Sequence, residues 1–232
     1  MTIDMLEVVE LHAHYGRAHI LQGVSFAVGE GEVVALLGRN GAGKSTTMKA
    51  VMGLVPPTSG SVRFAGREVA GREPFEIARL GLGYVPEERR IFTELTVREN
   101  LETGRRGVGW TPAKVAELFP SLGAMMDRPG GRMSGGEQQM LTIGRTLMGN
   151  PRMILLDEPS EGLAPVIIER MAEAIARLKR EGLSILLSEQ NLHFARLVSD
   201  RALVLEKGAI RWSGTMEALM ADEAARAAYL SV

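Results

Sequence analysis

Gly38-Arg39-Asn40-Gly41-Ala42-Gly43-Lys44-Ser45 separates an apolar run, Glu32 to Leu37, from an uninterrupted stretch, Lys44 to Met52. The run has the length of a buried strand, and Gly53 with Pro56-Pro57 closes the stretch as helix stop signals do. Strand, glycine-rich turn and helix open an α/β unit. The spacing is that of a phosphate-binding loop: glycine, four residues, Gly-Lys, then Ser or Thr. Such glycines let backbone N–H groups turn inward around phosphates, and the following helix points its positive end at the same anion. Gly38 through Ser45, with Thr46 in the first helical turn, are therefore the expected nucleotide contacts. Lys44 would reach the β- and γ-phosphates and Ser45 would coordinate Mg²⁺.

Working outward, Met5 to Leu11 and Ile20 to Val28 read as antiparallel strands punctuated by Gly16, Gly23 and Gly29. Ser61 to Phe64 and Leu82 to Val85 read as further strands, with a helix from about Pro74 to Leu80. From Pro86 to Arg132 strand signals vanish, and Thr111-Pro112 offers an N-cap followed by proline at the first helical position. Beyond it helices (Gly136 to Gly149, Pro165 to Glu181, Leu192 to Val198) alternate with strands (Met153 to Leu156, Ser184 to Ser188). That alternation argues a parallel sheet with helices on its faces. Ala202 to Trp212 reads as a hairpin around Glu206-Lys207-Gly208, and Asp222 to Leu230 as a closing helix. The expected architecture is α/β: a P-loop NTPase core (1–86 and 133–232) with an N-terminal antiparallel β subdomain and an inserted helical subdomain (87–132).

The chain's 232 residues, 45% hydrophobic and 24% charged, suffice for a buried core. A formal net charge of −1 gives no support for nucleic-acid binding, so none is expected. The absence of cysteine excludes disulfides and thiol nucleophiles, fitting a reducing compartment. Apolar runs such as Val33 to Leu37 are strand-length, far short of the ~20 residues of a membrane span. Met1 to Glu7 is acidic where a secretion signal is basic and apolar, so no signal peptide is expected.

Two further stretches carry chemistry. Asp157-Glu158 follows Met153 to Leu156, placing two carboxylates at the C-terminal end of a buried strand, where open α/β sheets bind ligands. Asp157 suits Mg²⁺, and Glu158 could polarise an attacking water as general base. Ser134-Gly135-Gly136-Glu137 is a capping box, and its glycine N–H groups at a helix start also form an anion site. One chain needs only one phosphate loop. A second such helix start suggests a second molecule facing the first.

Together the phosphate loop, Met133-Ser-Gly-Gly-Glu-Gln138, Ile154-Leu-Leu-Asp-Glu-Pro159 and the helical insertion resemble the ATP-binding subunit of an ABC transporter over essentially the whole chain. Ser134 lies 90 residues beyond Lys44 and 23 before Asp157. The resemblance implies ATP and Mg²⁺ as ligands, and a head-to-tail dimer sandwiching two ATP molecules between each phosphate loop and the opposing Ser134 to Glu137. It implies that Tyr15 stacks on adenine. It further implies polytopic membrane permease subunits, a second ATPase subunit (paralogue or identical), a solute-binding protein served indirectly, and a peripheral place on the cytoplasmic face of the inner membrane.

Three positions narrow this. After Tyr84-Val-Pro the family usually carries Gln, near Mg²⁺ and the attacking water; here stands Glu87. Such an extra carboxylate is tolerable with Mg²⁺ or Arg89 close. Where the family carries a His touching the γ-phosphate, Gln190 stands, able to donate a hydrogen bond but not a charge. With Ser160-Glu-Gly-Leu-Ala164 in place of the usual loop, the pattern resembles the LivF-type ATPase of branched-chain amino-acid importers. Urea and short-chain amide importers share much of it. A soluble ABC-type ATPase of metallocluster assembly stays open, whereas coiled-coil repair ATPases insert hundreds of residues where 90 stand here. No Asn-Lys-x-Asp guanine-reading sequence occurs. His12, His14 and His19 lie close in sequence with no acidic cluster or obligatory geometry beside them, so no metal site is expected there, and Met125, Met126, Met140 and Met148 read as core fillers rather than a special surface.

Overall fold

The computed structural model describes residues 4–230; residues 1–3, which open the acidic N-terminal stretch, and 231–232 lie outside them. β1 (Asp4–Tyr15) and β2 (Ala18–Gly29) pair antiparallel, both longer than their apolar cores suggest because polar positions alternate outward to the hairpin turn. β4 (Ser59–Phe64) and β5 (Arg67–Glu68) complete a sheet of order β2-β1-β4-β5. The second sheet contains β3 (Val33–Leu37), β6 (Leu82–Val85), β7 (Met153–Asp157), β8 (Ser184–Glu189), β9 (Arg201–Glu206) and β10 (Ala209–Thr215). Its order is β10-β9-β3-β8-β7-β6, parallel throughout except for the β9-β10 hairpin.

Every side chain of β3 is buried, and the period of two sends them to different cores. Val34 and Leu36 join Met153, Leu155 and Leu186 in one cluster, covered by the antiparallel sheet and α1 (Lys44–Val51). Val33, Ala35 and Leu37 join Ile154, Leu156, Ile185 and Leu187 in the other. Helices α6 (Gly135–Leu147), α7 (Pro165–Arg180) and α8 (Leu192–Val198) cover that second face. Each fully buried Leu, Ile or Val contributes about 1.5–3 kcal/mol, so the parallel strands form the rigid floor of whatever their C-terminal ends carry.

Between β6 and α6 the described backbone holds α3 (Val97–Thr103), α4 (Pro112–Leu118) and α5 (Pro120–Gly123), whose Val97, Leu101, Val115 and Leu122 pack on the α6 side. α4 starts as Thr111-Pro112 suggests, with the Thr111 side chain accepting the Lys114 N–H. α3 is an addition to the sequence reading. Its capping box runs Thr96 to Glu99, and the hydrogen bonds from Thr96 hold the Glu99 carboxyl below its ordinary range. Helix α2 (Pro74–Arg79) precedes β6, and the C-terminal segment divides into α9 (Met216–Ala221) and α10 (Glu223–Tyr229) at Asp222, which caps the latter. Among the described residues no helix is long and apolar enough to cross a membrane.

Candidate active site

β3 delivers the chain into the 38–43 loop, and α1 begins at Lys44. Gly43 sits at φ 109°, a conformation costly for any residue with a Cβ, and this turn reverses the chain into the helix. A Cβ on Gly38 would lie 2.4 Å from the Leu205 carbonyl oxygen, so only glycine lets β3 pass that close to β9. The buried Lys44 ammonium donates to the carbonyls of Gly38 at 2.8 Å and Arg39 at 3.2 Å, and pairs with Glu158 Oε1 at 3.0 Å. A cation so held can exchange its carboxylate partner for phosphate oxygens without leaving the loop.

The parallel register sets Asp157 opposite Ser188. Asp157 Oδ1 accepts from Ser188 Oγ at 2.6 Å and Ser45 Oγ at 3.0 Å, and Oδ2 from the Tyr84 hydroxyl at 3.0 Å. The carboxylate is 1% exposed, so these donors replace its water shell. Burial first, then the Asp157 charge and hydrogen bond, push the Tyr84 hydroxyl far above its ordinary value. Ser45 Oγ and Asp157 form an oxygen-only pair of the kind Mg²⁺ binds when phosphates supply its other ligands, so the residues fit that ion. Among the described residues no group of three or more His, Cys, Asp or Glu could hold a metal without such help.

Glu158 adopts the left-handed conformation at φ 45°, its N–H bonded to Ser188 O and Oγ, both at 3.1 Å. Its Oε2 accepts from Gln190 Nε2 at 2.7 Å. One carboxylate thus lies between the Lys44 ammonium and the Gln190 amide. A cleft of about 260 Å³ opens here, lined by Tyr15, Asn40, Gly41, Gly43, Lys44, Ser45, Thr46, Glu87 and Glu158 among others. Tyr15 is half exposed at its mouth, where a ring is free to stack.

Ser134 to Glu137 do not line this cleft. The Ser134 hydroxyl caps α6 by accepting the Glu137 N–H, and Glu137 Oε2 accepts the Ser134 N–H at 2.7 Å. Ser134 itself is exposed. Of the two partners expected to relieve Glu87, Mg²⁺ or Arg89, the Arg89 half needs correction, since Arg89 is not among the groups acting on that carboxyl. Arg89 and Arg90 are both left-handed, at φ 61° and 45°, and this swings the chain onto α6. The Arg89 carbonyl accepts from Thr142, the Arg90 carbonyl from Arg145, and the Arg89 guanidinium lies against Gly135. Glu87 instead meets the Glu161 carboxyl; desolvation, that hydrogen bond and the charges of Glu161, Glu158 and Asp157 raise its pKa. Neither Tyr84 nor Ser188 is among the site residues expected from the motifs, yet both donate to Asp157. The available signal was a hydroxyl-bearing residue one position before the end of each strand, Tyr84 in β6 and Ser188 in β8. His14 and His19 stack at 4.1 Å, and His12 Nδ1 lies 3.0 Å from His19 Nε2, on the exposed face of the first hairpin.

The ABC transporter family profile matches residues 21–161. The chain is 45% identical over 231 residues to the high-affinity branched-chain amino acid transport ATP-binding protein BraG of Pseudomonas aeruginosa, covering 97% of this chain and 99% of that one. It is 36% identical over 225 residues to the probable branched-chain amino acid transport ATP-binding protein LivF of Archaeoglobus fulgidus, covering 94% and 95%. It is also 35% identical over 237 residues to the lipopolysaccharide export system ATP-binding protein LptB of Haemophilus influenzae, covering 98% of each. A nucleotide-free ATP-binding cassette from an ABC transporter superposes with a TM-score of 0.84 at 28% identity, over 96% of this chain and 97% of that one.

Proposed function

The chain belongs to the ABC transporter family of ATP-binding subunits, which hydrolyse ATP to power transport, and on that premise we propose that it drives import of branched-chain amino acids. The observation that carries the catalytic reading is the Glu158 carboxylate held between Lys44 at 3.0 Å and Gln190 at 2.7 Å, at the mouth of the phosphate cradle. When ATP enters, its phosphates take Lys44 and the loop N–H groups, and Tyr15 stacks on the adenine. Glu158, released from the ammonium, orients a water and accepts its proton as the oxygen attacks the γ-phosphorus. The bond from that phosphorus to the β,γ-bridging oxygen breaks, giving ADP and phosphate. Gln190 offers its amide N–H groups to the γ-phosphate. Ser45 and Asp157 would hold Mg²⁺, with Glu87 a third oxygen donor nearby; the bound ion would supply charge neutralisation on the β- and γ-oxygens.

Ser134, Gly135, Gly136 and Glu137 would complete the cage on the ATP of a second ATPase subunit, identical or a paralogue. Residues 87–132 are read as a helical insert that docks polytopic membrane permease subunits, setting this chain at the inner face of the membrane, with a solute-binding protein served indirectly. In support, a groove of about 590 Å³ between the core and this insert exposes Phe75 and Phe92 beside Arg90, Arg106 and Arg145, and no acidic residue lines it. The likeness to BraG and LivF supports the amino-acid assignment, while LptB serves export. Purifying the chain with its membrane subunits and measuring solute-stimulated ATP hydrolysis tests the reading. Leucine, isoleucine or valine with a binding protein should stimulate. Stimulation by urea, an amide or lipopolysaccharide instead would overturn the substrate while leaving the ATPase in place.

A further inference from the structure

Glu189 ends β8 and is 2% exposed, a carboxylate that the hydrolytic scheme above does not use. Burying such a group is costly unless it is paired or hydrogen-bonded. No cation is among the groups that set its pKa: desolvation raises it, hydrogen bonds from Ser160 and Asn191 lower it, and the Glu158 charge raises it. One oxygen, Oε1, accepts the Ser160 N–H at 3.0 Å; the other, Oε2, accepts the Asn191 N–H at 3.1 Å. Those two amides belong to different loops. Ser160 lies in the turn after β7, two residues beyond Glu158; Asn191 follows Gln190 and caps α8 through its side chain to the Phe194 N–H.

The turn needs holding. Glu158 at φ 45° occupies a conformation that persists in a residue with a Cβ only where its surroundings enforce it. Ser188 fixes the N–H side of Glu158, and the Glu161 N–H returns to the Glu158 carbonyl at 3.2 Å. The Ser160 N–H between them goes to Glu189. Building on the reading of Glu158 and Gln190 as the hydrolytic pair, we propose that Glu189 is a positioning residue. Its two oxygens tie the Glu158 turn to the Gln190 loop, so that base and amide keep one spacing when Lys44 lets go.

Glu189→Gln tests this, because an amide has one acceptor oxygen and turns an NH₂ group toward the second N–H donor. Hydrogen exchange of the variant without nucleotide should quicken at 160–163 and 191–194 together. The kcat for ATP hydrolysis should fall about 10- to 100-fold, the range of a small misplacement of reacting groups, with KM for ATP within about twofold. Loosening of only one segment, or an unchanged kcat, would overturn the tie. Equal losses in kcat and ATP affinity would reduce Glu189 to a general structural role and overturn it too. Glu158→Gln and Gln190→Ala serve as references: if they hydrolyse ATP normally, the hydrolytic reading fails, whereas the exchange result still judges the tie. Should Glu189→Gln not fold, Glu189→Asp keeps the charge, is one methylene short of spanning both amides, and is read by the same exchange.

Discussion

Tyr84 shows how one half-buried hydroxyl sets the terms for a buried carboxylate, Asp157. Its O–H donates to Asp157 Oδ2 at 3.0 Å, and losing the proton would place two anions in contact. Burial and Asp157 hold its pKa above the ordinary value of about 10, so the native chain keeps a proton that the unfolded chain releases once pH passes that value. The stabilisation is therefore complete below pH ~10 and lost as pH rises beyond it. Tyr84→Phe should cost about 1.5–3 kcal/mol near neutrality, the range for a hydrogen bond to a charged group. Urea titrations of both chains from pH 8 to 11 should show this gap closing toward the alkaline end. A gap that widens there would mean that Tyr84 ionises more readily in the fold than outside it. Tyr84 and Ser188 stand in the sequence beside quoted motifs, yet neither could be joined to Asp157 without the strand register, which sets Asp157 opposite Ser188 across 31 residues.

At the scale of elements, the strand, loop and helix of 33–51 were legible because the glycines, lysine and flanking apolar runs all require the same turn. Helix α3 was not, although Thr96 and Glu99 have capping-box spacing. At seven residues it owes its place to tertiary contacts: Asn100, wholly buried, donates to the carbonyls of Phe92, Leu95 and Thr96. The turn at Arg89 and Arg90 was equally hidden, since neither residue type favours positive φ and its anchors are side chains of α6. The start of α6 gives a discriminating pair of substitutions. A Cβ on Gly135 meets the far end of the Arg89 side chain at 2.7 Å, which can swing aside. On Gly136 it meets Ile167 Cγ2 at 2.8 Å, a β-branched side chain held on α7. Gly135→Ala should leave stability within about 0.5 kcal/mol, the ordinary range of a surface change, while Gly136→Ala should cost about 1–3 kcal/mol by overpacking. Urea denaturation midpoints decide it; equal costs would mean that α6 and α7 slide apart freely.

For the whole molecule, the decisive arrangement is a separation. Lys44, Ser45 and Glu158 line the 260 Å³ cleft, whereas Ser134 to Glu137 cap a helix elsewhere on the surface and do not reach it. On the proposed reading nucleotide enters the cleft, and the helix start at Ser134 faces the nucleotide of a second subunit rather than its own. The consequence can be separated from catalysis. In a dilute solution of single chains, Lys44→Ala should remove most ATP affinity, because the cradle loses its one lysine. Ser134→Arg under the same conditions should leave that affinity within about twofold, since its site is outside the cleft. In the Glu158→Gln background, where turnover is suppressed, added ATP at high protein concentration should raise the mass seen by light scattering. Ser134→Arg should abolish that rise by placing a bulky cation where a phosphate must approach the helix. If instead Ser134→Arg weakens ATP binding in the dilute chain as much as Lys44→Ala does, the helix start closes on its own cleft, and the two-subunit arrangement is wrong.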